Sequence, residues 1–73
     1  MKNEFTVKSY PKSELAQLYF PYSEAHVAQN HLNSWIRRCP MLVEALKDCH
    51  QSPHAKFYSA KSVRCIVHFL GEP

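Results

Sequence analysis

The apolar positions of this chain fall into short helical stripes punctuated by prolines. Val63, Ile66, Val67 and Leu70 stand at i, i+3, i+4 and i+7, the cleanest periodicity present. They predict a helix capped at its start by Ser59. Gly71 supplies the left-handed stop, with Pro73 just beyond. Upstream, Ala25, Ala28, Leu32, Trp35 and Ile36 keep one helix face apolar between an N-cap at Ser23 and Arg38. The opposite face carries His26, Gln29, Asn30, Asn33, Arg37 and Arg38. Leu15, Ala16, Leu18 and Tyr19 mark an earlier helix starting at Pro11, where the missing N–H costs nothing. That helix ends at Phe20-Pro21, because the residue before proline is pushed out of helical geometry.

Pro40 restarts the chain as a third helix with Leu42, Val43 and Leu46 inward, ending near Asp48 or Cys49. Residues 49–58 show no period and read as a loop, with Phe57 and Tyr58 pinned to the core. Residues 1–10 alternate loosely and read as an extended N-terminal arm or short edge strand. No good strand pair is apparent. The expected fold is all-α: a compact bundle of about four short helices over residues 11–73, with one loop near 49–58.

Size narrows the function. A chain of 73 residues is one small domain. It buries only roughly 60% of its unfolded surface, so its stability is marginal. A large closed pocket would consume the core, which argues against an enzyme and for a binding module. The lone glycine is near the end of the chain, so no Gly-rich loop offers an oxyanion hole beside a Cys or His nucleophile. The nine Lys and Arg against six acids give a net +3, a mild positive balance compatible with phosphate binding. Cys39, Cys49 and Cys65 are odd in number and lack a short paired spacing, which argues against a disulfide framework. Neither a leader nor a membrane-length apolar run is visible, so the expected location is cytoplasmic, with no membrane partner.

Two resemblances add to this. The run Lys12-Ser13-Glu14-Leu15-Ala16-Gln17-Leu18-Tyr19-Phe20-Pro21 resembles the opening of a family of short bacterial proteins, common in gut anaerobes, known only as a domain of unknown function. The likeness continues through Leu32-Asn33-Ser34-Trp35-Ile36, Pro40-Met41-Leu42, Leu46, Phe57, Ser59, Val63 and the terminal Leu70-Gly71-Glu72-Pro73. That family implies no activity. Where it leads one to expect Gly-Tyr after the third helix, this chain has Cys49-His50, and a left-handed turn at Cys49 would carry a steric cost. The segments Lys12–Ala16 and Lys56–Ser59 also resemble parts of the helix-turn-helix heads of MerR-like regulators and excisionases. This implies a helix-turn-helix-like core in which the second helix enters a DNA major groove.

On that reading Gln29, Asn30 and Asn33 would meet bases, since their amide forks suit adenine edges. Lys12, Arg37, Arg38 and Lys56, with Lys8, would hold phosphates. Glu24 stands against it, because a carboxylate at the helix start repels phosphate. The partner would be double-stranded DNA, read by a homodimer as is usual for such modules, with a regulatory role. The bland account is a solvated polar helix face. The rival function is a protein-interaction or adaptor module using an aromatic patch at Tyr19, Phe20 and Tyr22. Trp35 fits the core better. Cys49, His50, His54, Cys65 and His68 carry zinc-ligand chemistry, but without a Cys-x2-Cys pair the expectation is no metal and no cofactor.

Overall fold

Four helices form where the apolar stripes recur: α1 (Lys12–Tyr19), α2 (Ala25–Arg37), α3 (Pro40–Asp48) and α4 (Ala60–Leu70). The computed structural model describes residues 5–52 and 54–73. Leu15, Ala16, Ala28, Leu32, Leu42, Val63 and Ile66 are sealed from solvent at the centre, each helix contributing to one core. Packing is densest between α1 and α2, where Ala16 and Ala28 let the two backbones approach. Among the described residues, no helix is long and apolar enough to cross a membrane.

A two-residue antiparallel bridge corrects the expectation of no strand pair. β1 (Tyr10–Pro11) pairs with β2 (Phe57–Tyr58), Tyr10 opposite Tyr58 and Pro11 opposite Phe57. Tyr10 and Tyr58 are both buried, so the bridge is anchored in the core. Phe5 stacks on Tyr10 at 5.5 Å, and the Tyr10 hydroxyl donates to the Thr6 carbonyl at 2.7 Å. Pro11 therefore ends the bridge and precedes α1, rather than opening the helix as the sequence suggests. Its lack of a donor is harmless at this edge. The next amide, Lys12 N–H, donates to the Lys56 carbonyl at 2.9 Å, so the 49–58 loop caps one of the open donors of α1.

Helix ends show which side chains matter. Ser59 caps α4 as expected: its hydroxyl accepts from the Ser62 amide at 3.2 Å and donates to the Ser62 hydroxyl at 3.1 Å. Ser59→Ala should cost about 1 kcal/mol. A lower urea midpoint with an unchanged slope would show it. Ser23 does not cap α2. Its amide donates to the Phe20 carbonyl at 3.1 Å and its carbonyl accepts from Gln17 Nε2 at 3.2 Å, so the cap position falls to Glu24, which makes no side-chain cap bond.

The end of α3 resolves the Cys49-His50 question. Cys49 keeps an ordinary φ of −82°, and His50 takes the left-handed turn at φ 60°. His50 N–H donates to Lys47 at 2.9 Å and Gln51 N–H to Leu46 at 3.0 Å, the paired bonds of a Schellman motif. Histidine tolerates this region better than most residues with a Cβ. Gly71 closes α4 at φ 87°.

Candidate nucleic-acid interface

The polar side of α2 is not uniform. At 3.6 residues per turn each position advances by about 100°. Gln29, Asn33 and Arg37 form one stripe at i, i+4 and i+8, beside the buried row of Ala28, Leu32 and Ile36. Arg38 stands about 100° further round than Arg37. The stripe faces the end of the 49–58 loop and the start of α1. Between them lies an open cleft of about 710 Å³, lined by Lys12, Gln29, Asn33, Arg37, Lys56 and Phe57 among others. No Asp or Glu is among its described lining residues, and Ser13 and His54 add polar atoms. A second, largely apolar hollow of about 270 Å³ shares Lys12, Asn33 and Arg37 and continues along α3 past Val43, Leu46 and Lys47, whose ammonium pairs with Glu44 at 3.7 Å.

Five of the eight residues expected to contact DNA thus come together: Gln29, Asn33, Lys12, Arg37 and Lys56, whereas the Lys8 ammonium lies over the Tyr10 ring at 5.2 Å. Asn30 and Arg38 do not line the cleft and stand exposed elsewhere on α2 and its C-cap. Glu24 also lies outside it, pairing with His26 at 3.7 Å.

The cations are not equivalent. Lys12 Nζ donates to the Ser52 carbonyl at 3.3 Å and lies 5.2 Å from the Tyr58 ring centroid. Partial burial lowers its pKa from the ordinary lysine value. Its ammonium ties the loop to α1 as well as lining the cleft. Arg37 and Lys56 are exposed and reach in from different walls. Phe57, which the sequence reading placed only as a core anchor, is 54% exposed and adds an apolar face to the cleft. Its β-bridge partner is Pro11, and strand alternation sends Phe57 outward while Tyr58 goes in.

Gln51 carries no distinguishing signal in the sequence, yet its amide organises this wall. Nε2 donates to the Phe57 carbonyl at 2.9 Å and to the Ser52 carbonyl at 3.3 Å. Oε1 accepts from the Ser62 hydroxyl at 2.7 Å and the Ser59 amide at 3.3 Å. No periodicity marks a loop glutamine, so only the fold shows its role.

The aromatic residues form a separate ledge. Phe20 packs edge-on against Trp35 at 4.7 Å, Tyr19 against Trp35 at 6.4 Å, and His31 lies 5.2 Å from Phe20. Trp35 is 41% exposed, which corrects its assignment to the core: Leu32 and Ile36 fill the centre and the indole lies on the rim. Tyr22 is 99% exposed and makes none of these ring contacts. The Tyr19 hydroxyl donates to the Gly71 carbonyl at 2.6 Å, tying α1 to the end of α4. Burial, with the negative charge of Glu72, pushes that phenol up to about 12, so it keeps its proton through the physiological range.

Of the zinc-type residues, Cys49 and Cys65 approach each other, with Sγ atoms 3.6 Å apart. His68 instead meets Phe69 edge-on at 5.0 Å, and His54 belongs to the cleft. Among the described residues no three His, Cys, Asp or Glu side chains converge as a metal site requires.

No curated protein and no solved structure matches this chain. A family model does match, over residues 6–73, and it spans all four helices, the bridge and the cleft. The chain therefore belongs to the family described as Domain of unknown function (DUF4248).

Proposed function

We propose that this protein binds double-stranded DNA through the α2–loop cleft, as a non-enzymatic, helix-turn-helix-like regulatory module of the bacterial cytoplasm. The observation that carries the reading is the convergence of Arg37, Lys56, Gln29 and Asn33 on one cleft whose described lining holds no acid. Arg37 and Lys56 approach from two walls and would grip a phosphate backbone between them. Gln29 and Asn33 line the same cleft and present amide forks that suit a base edge. Lys12 contributes field and holds the loop. Asn30 and Arg38, outside the cleft, have no role in this reading.

Anisotropy of a labelled random-sequence duplex, titrated with protein at several salt concentrations, tests it. Binding should weaken steeply with salt. Arg37→Ala and Lys56→Ala should each reduce the log–log salt slope by about 0.9, one phosphate contact apiece. Tyr22→Ala should leave the slope alone. No binding at about 50 mM salt, or slopes untouched by both substitutions, would overturn the proposal.

A second reading, a protein-interaction module or homodimer contact, is favoured by the exposure of Tyr22, at 99%, and of Trp35, at 41%. No duplex binding at low salt, together with self-association in sedimentation that Tyr22→Ala abolishes and Arg37→Ala leaves intact, would favour it.

A further inference from the structure

We propose that Cys49 and Cys65 form an oxidisable dithiol site, converted to an intramolecular disulfide by exchange with a low-molecular-weight disulfide. The two Sγ atoms are already 3.6 Å apart. A disulfide needs about 2.05 Å, a closing of roughly 1.5 Å that side-chain rotation can supply. The backbones are held: Cys49 closes α3, its amide donating to the Ala45 carbonyl at 3.1 Å, and Cys65 lies within α4. The pairing is specific, since Cys39 is also half-buried but makes no thiol contact among the described residues.

Access is asymmetric. A hollow of about 320 Å³ between Ser9 and the 49–58 loop is lined by Cys49 but not by Cys65. Burial, reinforced by the hydrogen bond with Cys49, pushes the Cys65 thiol up. Cys49 is therefore the entry point. Its thiolate attacks one sulfur of the small disulfide, forming a mixed disulfide and releasing one small thiol. Cys65 loses its proton to solvent, attacks the Cys49 sulfur and displaces the second small thiol. Two protein thiols are oxidised and one small disulfide is reduced to two thiols. The bond would join residues sixteen positions apart, on either side of the loop that carries Ser52, Lys56 and Phe57. Oxidation would thus fasten both ends of one cleft wall, whatever ligand the cleft takes.

The test is equilibration of the full chain with reduced and oxidised glutathione at a series of ratios, then alkylation and intact mass. Oxidising ratios should leave one alkylatable thiol, with a peptide linking Cys49 to Cys65. The melting temperature should rise by on the order of 10 °C. Cys39→Ser should oxidise like the parent. Cys65→Ser, checked for cooperative melting, should stop at one glutathione on Cys49. Three free thiols at every ratio, a bond to Cys39, or only intermolecular bonds would overturn the proposal. If Cys65→Ser fails to fold, the parent and Cys39→Ser still decide it.

Discussion

Replacing Leu32 by alanine is expected to cost about 3 kcal/mol, within a range of roughly 2 to 5 for a sealed leucine. Leu32 sits midway along α2 with no solvent exposure, inside the core to which all four helices contribute. The cost combines lost transfer energy with the cavity left behind, because close-packed neighbours relax only in part. A domain of 73 residues has roughly 4 to 11 kcal/mol to lose. The substitution should therefore bring it near the edge of folding, with a much lower urea midpoint. Leu18→Ala is the matched control. Leu18 is exposed on α1, and its truncation should move stability by no more than about 0.5 kcal/mol. Equal losses for the two substitutions would contradict the core described above. The same experiment bears on the cleft, since Leu32 backs the stripe of Gln29 and Asn33.

The helices were legible because each rests on local spacing. The stripe of α4, the Ser59 cap and the Gly71 stop all lie within a few residues of one another, and pattern alone places them. Features that depend on distant chain were not legible. The bridge joins Tyr10 to Tyr58 through two residues a side, too short to alternate, and only packing of both rings in the core makes it visible. Ser23 has the chemistry of a cap but spends its backbone on Phe20 and Gln17, so composition misplaces the start of α2 by one residue. Trp35 lies at the margin of the apolar stripe, and a periodic count treats margin and centre alike.

The cleft divides the same way. Gln29, Asn33 and Arg37 follow from one helical stripe. Asn30 and Arg38 share their polarity but not their direction. Lys56 reaches the site only because the bridge and Lys12 bring the loop back to α1.

That dependence gives the second large effect. Gln51→Ala should destabilise the fold by about 2 kcal/mol, since it strands the buried Ser62 hydroxyl rather than removing both members of that bond. The Ser62 hydroxyl, at 0% exposure, loses an acceptor at 2.7 Å, and the Phe57 carbonyl loses a donor at 2.9 Å. Ser62→Ala in the same chain removes the stranded hydroxyl, so the double variant should lose less than the sum of the singles, by about 1 kcal/mol. Full additivity would mean that the Gln51–Ser62 bond contributes nothing. Gln51 also fixes where Ser52 and Phe57 lie, and Lys56 stands between them in sequence. Where Gln51→Ala remains folded, it should therefore lower the salt slope of duplex binding as Lys56→Ala does, although its own side chain does not line the main cleft. A stability loss with the slope intact would show that the bridge and Lys12 hold Lys56 in place without the glutamine.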